Sequence, residues 1–403
     1  MPRREEVDWR PAVCPRRQIL HSCRWADRAV RGREPVVLWF DAETTALWQE
    51  SAMKNISEIL ASVEETPVTF EDYLKAYADP VGELINSYIP HGTHGDMDRY
   101  LYDPLYHYSE NAGKRHRPLI CFAACLAVGG DPDRAATAAA AIEHFHSAAL
   151  IHDDIADEAE LRRGEPCLHL TEGLGLAINM GDLALSMVNG PVVNDPLLED
   201  AVKVRVIKEL IAMTCRTVEG QALDLGWARD GRYDITPEDY LTMAIHKTAH
   251  YSGAVPLAVG AIVGGADDEI VEALRSYGLD TGLAFQIQDD LLNLVGTDEA
   301  KKKDFRSDIT EGKRTLVVVH ALQNAAPEAR ERLVEILSSK ERDPEVLAEA
   351  VAIMEETGSI DYARTFAEDL TLNAKARLAG ALPPSQYRDL LVSMADWFVN
   401  RLK

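Results

Sequence analysis

The chain has 403 residues, of which 46% are hydrophobic and 27% are charged, and this composition is that of an ordinary globular protein. Its formal net charge of −24 disfavours general binding to nucleic acid or to an anionic membrane, although a local group of cations can still hold a phosphate ligand. We find no apolar run of the roughly 20 residues that span a bilayer and no secretory signal. We therefore expect a cytoplasmic protein without stable membrane insertion.

Residues 1–52 differ in composition from the remainder of the chain. They contain nine arginines, four of the six tryptophans and no lysine. Three interpretations stay open: a segment that is not native, with Met53 as the natural start; a disordered or loosely attached extension; and a transit peptide. Glu5, Glu6 and Asp8 disfavour the transit peptide. We predict a dispensable extension over residues 1–52 and a folded domain over residues 53–403.

From Met53 onward the sequence pattern is helical. Four capping side chains precede predicted helices, namely Thr69, Asp131, Thr236 and Asp343. A proline directly follows the last three of them. Long apolar-periodic stretches cover residues 137–152, 203–225, 239–263, 267–296, 328–338 and 386–402. Gly358 is typical of a residue that ends a helix, and no alternating β pattern competes with these signals. The sequence predicts a single all-α domain.

Two aspartate pairs each follow an apolar helical stretch and precede basic residues. Asp153 and Asp154 form the first pair, and Asp157 lies one helical turn after Asp153 on the same face. Asp289 and Asp290 form the second pair. Carboxylates in apolar surroundings imply a cation between them, and oxygen ligands favour Mg²⁺, which commonly bridges to a phosphate. The competing interpretation is a solvated acidic helix face, which the apolar flanks of both pairs disfavour.

The aspartate pairs belong to a longer series of short motifs in a fixed order. The series comprises Gly113-Lys114-Arg115-His116-Arg117-Pro118, His146, Asp153–Asp157, Arg162-Arg163-Gly164, Gly181-Asp182, Gly220-Gln221, Lys247-Thr248, Phe285-Gln286, Asp289-Asp290, Lys303 and Asp308. From about residue 80 to the C-terminus, the chain resembles the trans-isoprenyl diphosphate synthases of the polyprenyl synthetase family, and geranylgeranyl diphosphate synthases most of all.

The resemblance implies a bundle of helices around a central cavity, the isoprenoid synthase fold, and a homodimer. It also implies a Mg²⁺-dependent reaction in which isopentenyl diphosphate is condensed head-to-tail with an allylic diphosphate. Ionisation of the allylic C–O bond creates a carbocation and a diphosphate, and metal ions and basic side chains stabilise the departing charge. By resemblance, three Mg²⁺ ions are held by Asp153, Asp154, Asp157, Asp289 and Asp290.

The resemblance also implies the residues that bind the two substrates. The allylic diphosphate would contact Arg162, Lys247 and Lys303, and isopentenyl diphosphate would contact Gly113, Lys114, Arg117, His146 and Arg163. Lys247, Thr248 and Gln286 lie where the family steadies the carbocation, and with Arg162 and Lys303 they form the predicted catalytic set. Simpler interpretations stay open, namely solvated basic side chains, an exposed lysine run at 301–303 and a core histidine at 146.

Four residues depart from the family pattern. Asn293 takes the place of the usual third aspartate, which weakens the second metal site. His116, Cys167 and Arg306 stand where leucine, threonine and glycine are common. We keep two rival functions: a class I terpene cyclase, which has no need of a second diphosphate site, and a non-catalytic synthase subunit, which tends to lose motif residues that this chain retains.

The product length is predicted from the helix that carries Asp153. Ala149 and Ala148, four and five residues earlier, are small enough to let a farnesyl-length chain pass. Phe145 lies eight residues before Asp153 and therefore roughly 12 Å deeper, where its ring can form a floor for a medium chain. We favour the C20 product, geranylgeranyl diphosphate, over longer products and over C15. The alternative is that Phe145 is ordinary core and another helix forms the floor.

Overall fold

The computed structural model describes residues 55–63, 67–111, 113–296, 306–340 and 342–400. Residues 1–52 and Lys303 lie outside these ranges, so the predictions made for them stay predictions. Within the described ranges the chain is helical almost throughout, and the all-α prediction is confirmed.

The helices fall into three groups along the chain. The first group is α1 Ile56–Ala61, α2 Phe70–Asn86, α3 Gly95–Met97, a π-helix Asp98–Tyr102, α4 Asp103–Glu110, α5 His116–Ala127, a 3₁₀-helix Pro132–Ala135 and α6 Ala136–Ala156. After a small hairpin, β1 Leu161–Arg162 and β2 Glu165–Pro166, come α7 Leu168–Thr171, α8 Leu174–Ser186, α9 Gly190–Asn194, α10 Asp200–Arg229, α11 Pro237–Ala244, a π-helix Ile245–Ala254, α12 Val255–Val263 and α13 Asp268–Val295. The last group is α14 Ser307–Thr310, α15 Leu316–Asn324, α16 Pro327–Ser339, α17 Pro344–Glu356, α18 Ser359–Ala381 and α19 Gln386–Val399.

The predicted capping side chains stand at helix starts. Thr69 accepts a hydrogen bond from the backbone N–H of Asp72 at 3.2 Å, before α2. Thr236 and Asp239 bond reciprocally at the start of α11 and form a capping box. Asp343 caps α17 through a 2.9 Å hydrogen bond. These starts are set by local chemistry, which is why the sequence predicted them.

Helix α12 lies at the centre of the larger apolar core. All nine of its residues are buried, and it packs against α5, α10 and α13. Gly260 permits the contact with α5, because a Cβ there would lie 2.2 Å from the carbonyl oxygen of Cys121. Cys121 and Cys125 are free thiols buried in this core, as their spacing on an apolar helix predicts.

Among the described residues, one stretch is long and apolar enough to cross a membrane. It covers Leu174–Asn194, has a mean hydropathy of 1.2, and is 44% buried inside the protein. The stretch is not one continuous helix, because α8 ends at Ser186 and α9 begins at Gly190. Helix α8 packs along α6. A core helix passes the same test of length and composition, so this stretch is weak evidence for a membrane span.

Candidate active site

The first aspartate motif lies where α6 ends. Arg162 Nη2 lies 3.7 Å from Asp153 Oδ2, and Lys247 Nζ lies 4.0 Å from Asp153 Oδ1. Asp157 follows the last residue of α6, and Lys313 Nζ donates to its Oδ2 at 3.3 Å. The two carboxylates therefore face cations that come from three other segments of the chain.

Asp154 binds Arg162 more closely than Asp153 does. Its side chain is buried and accepts two hydrogen bonds from Arg162, the one from Nε at 2.7 Å, while Tyr108 Oη lies 3.4 Å from its other oxygen. The hairpin β1–β2, which the sequence did not predict, positions Arg162. Its turn at Arg163 and Gly164 has φ of 56° and 88°, as in a type I′ turn. Asp154 orients Arg162, and its role as a metal ligand stays a prediction.

The second aspartate pair lies near the C-terminal end of α13. Asp289 is half-buried, whereas Asp290 is buried and accepts hydrogen bonds from Tyr240 Oη and Gln286 Nε2, both at 2.7 Å. Thr248 Oγ1 donates to Gln286 Oε1 at 2.6 Å. Burial raises the pKa of Asp290 to about 8, although the hydrogen bonds from Tyr240 and Gln286 act to lower this pKa. Thr248, Gln286 and Asp290 thus form one hydrogen-bonded chain.

The segment that carries Lys247 is a π-helix, a geometry that helical periodicity did not predict and that is frequent at functional sites. Gly220 of α10 permits its close approach, because a Cβ there would lie 2.2 Å from the backbone N of Lys247. As a result, Lys247 Nζ donates to Asp224, and Gln221 Nε2 donates to Asp153 at 2.9 Å. Burial lowers the pKa of Lys247, but Asp224 and Asp153 raise it more, so the ammonium stays charged.

Lys313 is one of the site residues for which the sequence predicted no role. Its Nζ lies 3.3 Å from Asp157 Oδ2 and 3.6 Å from Asp308 Oδ1, and it also pairs with Glu311. Burial lowers the pKa of Lys313, but the three carboxylates together raise it well above its ordinary value. Gly312, with φ of 68°, turns the chain just before it. A lysine after a glycine, downstream of the second aspartate pair, was the available signal.

Asn293, the residue in the usual place of a third aspartate, organises the same loop. Its Oδ1 accepts the backbone N–H of Asp308 at 3.3 Å, and its Nδ2 donates to Ser307 Oγ at 3.1 Å. An ionised aspartate could accept but could not donate the second bond. The departure from the family pattern therefore has a structural use in this chain.

The carboxylates of both motifs fit a hard divalent cation. Burial raises the pKa of Asp157 to about 6, with Asp153 and Glu311 adding to the rise and Lys313 opposing it. A bound dication would relieve this excess of negative charge. Within the described ranges, no three Asp, Glu, His or Cys side chains already gather into a metal-binding group. Mg²⁺ suits such a site, because it keeps several waters and completes its coordination with substrate phosphate oxygens.

A second group of predicted residues surrounds the turn before α5. Gly113 has φ of 78°, and the Arg163 side chain packs against it, with Nε 3.6 Å from where a Cβ would lie. Lys114 Nζ lies 5.0 Å from the centre of the Trp397 ring of α19. Three predicted contacts of isopentenyl diphosphate, Gly113, Lys114 and Arg163, are therefore close together.

Tyr251 joins the other two predicted contacts, Arg117 and His146. The Arg117 guanidinium lies 4.4 Å from the centre of the Tyr251 ring and donates to Ser252 Oγ at 2.8 and 3.2 Å. The His146 ring stacks on Tyr251 at 5.9 Å between centroids, and Phe145 meets Tyr251 edge-on at 5.7 Å. Burial and then Arg117 lower the pKa of His146, so its imidazole is neutral. The roles of Tyr251 and Ser252 were not predicted from the sequence.

The three residues predicted to set product length are placed along α6. Phe145 is 3% exposed within the larger core. Ala148 is buried in a smaller cluster that includes Met180 and Ala184 of α8, and Ala149 is half-buried beside the larger core. Small side chains thus lie near the aspartates, and a ring lies roughly two turns further along the helix.

An all-α bundle with two aspartate motifs, the first facing basic side chains and the second bonded to Tyr240 and Gln286, is the arrangement of a prenyltransferase. A separate basic group completes it. The polyprenyl synthetase family model matches residues 98–354, and the chain belongs to this family. It is a trans-prenyltransferase that condenses isopentenyl diphosphate with an allylic diphosphate.

Known relatives match nearly their whole length. The chain is 40% identical over 331 residues to the short chain isoprenyl diphosphate synthase of Methanothermobacter thermautotrophicus, across 82% of this chain and 98% of the relative. It is 35% identical over 351 residues to the geranylfarnesyl diphosphate synthase of Natronomonas pharaonis, across 83% of this chain and 99% of the relative.

Solved structures share the fold. The geranylgeranyl pyrophosphate synthetase of Pyrococcus horikoshii has a TM-score of 0.74 at 34% identity and covers 86% of this chain and 99% of its own. The geranylgeranyl pyrophosphate synthase of Corynebacterium glutamicum, complexed with isoprenyl diphosphate and magnesium, has a TM-score of 0.73 at 27% identity, across 82% of this chain and 99% of its own.

Proposed function

We propose that this enzyme makes geranylgeranyl diphosphate, with Mg²⁺ as its cofactor. The observation that carries the proposal is that the site contains two chemically different groups of side chains, one rich in carboxylates and one basic. Asp153 and Asp157, at the C-terminal end of α6, face Lys247 and Lys313. Lys114, Arg117 and Arg163, in contrast, surround the turn before α5. One diphosphate that needs metal and one that basic side chains hold directly fit these two environments. Solved structures named for the C20 product support the choice of length.

The reaction begins with cleavage of the allylic C–O bond. Mg²⁺ ions, three in this proposal, supply charge stabilisation to the leaving diphosphate when bound to Asp153, Asp157 and Asp289. Arg162 and Lys247, already beside Asp153, bind the same diphosphate. The allylic carbocation bonds to the double bond of isopentenyl diphosphate. The proton lost from the new unit passes to the released diphosphate, so no dedicated protein base is needed.

Asp154 and Asp290 act mainly through their hydrogen-bonding partners. Asp154 fixes the guanidinium of Arg162, and Asp290 fixes the amide of Gln286. Thr248 holds the other end of the same amide. We therefore propose that these two carboxylates orient the groups that meet the diphosphate and the carbocation, in addition to their predicted contribution to the metal site.

The direct test is product analysis by mass spectrometry. The purified chain and Mg²⁺ are incubated with isopentenyl diphosphate and with dimethylallyl, geranyl or farnesyl diphosphate. A dominant C20 diphosphate is expected, and a dominant C15 or longer product would correct the length alone. No elongation from any primer would favour a non-catalytic subunit, and a hydrocarbon made from geranylgeranyl diphosphate alone would favour a terpene cyclase.

Replacing Phe145 with alanine is expected to shift the products toward chains longer than C20. The ring lies deeper than Ala148 and Ala149 on the same helix, and its removal opens space below the growing chain. Product lengths from farnesyl diphosphate measure the effect. Phe122→Ala, which removes a fully buried ring from α5, is the matched control for lost stability. An unchanged length in a folded Phe145→Ala protein would make Phe145 ordinary core.

We also propose that residues 53–403 form the catalytic domain, that residues 1–52 are dispensable, and that the enzyme works in the cytoplasm. The composition of residues 1–52 supports the first two statements. The turnover of the full chain is compared with that of a chain that begins at Met53. Equal turnover is expected if residues 1–52 are dispensable, and loss of folding or turnover would contradict this.

We propose a homodimer in which a second copy covers one face of α10. Val204, Ile211, Val218 and Leu225 are all exposed, between 39% and 59%, and their seven-residue spacing puts them on one face over roughly 30 Å. Such an apolar stripe on a long helix is typical of pairing with another helix. Ile211→Glu is expected to give a monomer by light scattering, whereas Leu372→Glu, at an isolated exposed leucine on α18, is expected to leave a dimer. A monomeric wild type, or a dimeric Ile211→Glu protein, would contradict the proposal.

A further inference from the structure

Arg115 lies between two residues proposed to bind isopentenyl diphosphate, Lys114 and Arg117. Its backbone is left-handed, with φ of 49° and ψ of 31°, a conformation that a side-chain-bearing residue keeps only when other contacts hold it. The guanidinium makes those contacts: it donates to Glu143 Oε1 at 2.9 Å and to the carbonyl oxygen of Ser109. Because α5 begins at the next residue, this turn sets the direction of α5 and of Arg117 on it.

The surroundings are built to receive this guanidinium. Gly82 of α2 leaves room for it, since a Cβ there would lie 3.1 Å from Arg115 Nε. Ser109, at the end of α4, is itself held by a 2.6 Å hydrogen bond from its Oγ to Asn86 Oδ1. Arg115 therefore joins α2, α4, α5 and α6 at one point.

Glu143 ties the turn to α6. The side chains of Arg115 and Glu143 are 3% and 2% exposed, and breaking a buried ion pair of this kind leaves an uncompensated charge. Glu143 stands three residues before His146 on the same helix, so the pair links the turn to another proposed contact of the diphosphate. Burial lowers the pKa of Arg163, and Glu143 is the charge that opposes this lowering most. Glu143 therefore pairs with Arg115, lies on the same helix as His146, and opposes the lowering of the Arg163 pKa.

We propose that Arg115 and Glu143 are positioning residues for isopentenyl diphosphate. Their ion pair fixes the left-handed turn and so aims Lys114 and Arg117 at the diphosphate that His146 and Arg163 also reach. Neither side chain is exposed enough to touch that substrate. The allylic diphosphate depends instead on the aspartates and on Arg162 and Lys247, which the pair does not contact. The inference rests on the proposed function and adds selectivity: the pair acts on one substrate and not on the other.

Steady-state kinetics with both substrates varied test this role. Glu143→Gln keeps the size of the side chain and removes its charge. Arg115→Gly keeps a backbone that adopts the left-handed turn without strain, but removes the tie to α6. In each variant the KM for isopentenyl diphosphate is expected to rise about 10-fold to 100-fold, because small misplacements of binding groups have effects of this size. The KM for farnesyl diphosphate and kcat at saturating substrate are expected to stay within about threefold of wild type.

Glu209→Gln is the matched control. Glu209 accepts two hydrogen bonds from Arg275, at 2.6 and 2.9 Å, on α10 and α13, and its loss is expected to change neither KM. Folded Glu143→Gln and Arg115→Gly proteins with wild-type KM values, or with both KM values raised equally, would overturn the positioning role.

If the single variants do not fold, the double variant Arg115→Met with Glu143→Leu replaces the pair by a neutral apolar one. A raised KM for isopentenyl diphosphate is expected, and a wild-type KM would show that the pair is only structural. The proposed function is judged separately, by turnover of the wild-type enzyme. Without wild-type turnover, both the proposed function and the positioning role fall.

Discussion

Replacing Asp153 with asparagine is expected to lower kcat about 10³-fold while the protein stays folded. Asparagine has the same shape, and its Oδ1 can still accept the 2.9 Å hydrogen bond from Gln221. It lacks the negative charge that attracts Mg²⁺ and that balances Arg162 and Lys247, at 3.7 and 4.0 Å. The loss therefore falls on ionisation of the allylic C–O bond and not on the packing of α6.

The measurement is kcat at saturating substrates over a range of Mg²⁺ concentrations, with the melting temperature as a check on folding. Asp361→Asn is the control, because it removes one carboxylate that is 82% exposed and whose partner is Arg364 on the same helix. Activity above about a tenth of wild type in Asp153→Asn would contradict a metal-holding role for Asp153.

Local chemistry explains which parts of the fold the sequence predicted. The starts of α2, α11 and α17 depend on Thr69, Thr236 and Asp343, whose side chains bond to backbone N–H groups two or three residues away. The buried faces of the long helices follow from apolar periodicity. Such features involve neighbouring residues only, so a single sequence contains all the information that they require.

The contacts that build the site depend on tertiary structure and local geometry that helical periodicity does not contain. Lys313 and Asp157 are 156 residues apart and meet only in the folded bundle. The pairing of Asp154 with Arg162 requires the hairpin, which consists of two-residue strands too short to leave an alternating pattern. The π-helix at Lys247 lies within the apolar-periodic stretch 239–263, and its geometry accompanies the close contact with Gly220. The apolar periodicity of the helices does not predict any of these contacts.

Net charge predicted even less about the site. The chain carries a net charge of −24, yet one of its two proposed diphosphate sites consists of basic side chains around Arg117. At the other site the carboxylates outnumber the cations that face them, and burial makes the excess costly, as the raised pKa of Asp157 shows. The two sites thus call for different partners, a metal-bound diphosphate and a metal-free one. This difference is a property of local packing and not of composition.

Replacing Lys313 with methionine is expected to lower kcat/KM for the allylic diphosphate about 10²-fold. Methionine fills a similar volume but leaves Asp157, Asp308 and Glu311 without the ammonium that now lies among them. Their mutual repulsion is expected to lower the melting temperature in the presence of a chelator. Added Mg²⁺ should then raise the melting temperature of the variant more than that of wild type, since the dication replaces part of the lost positive charge.

Lys375→Met is the matched control, because Lys375 pairs with Asp396 at 2.6 Å on α18 and α19 and should leave the response to Mg²⁺ unchanged. Lys313→Arg separates charge from shape: it should recover the melting temperature in chelator while recovering only part of the activity, because a planar guanidinium cannot take the place of the compact ammonium among three carboxylates. Equal Mg²⁺ responses in Lys313→Met and wild type would show that Lys313 and the metal do not neutralise the same carboxylates. A Lys313→Met protein with wild-type kcat/KM would limit the lysine to holding the loop at Gly312 in place.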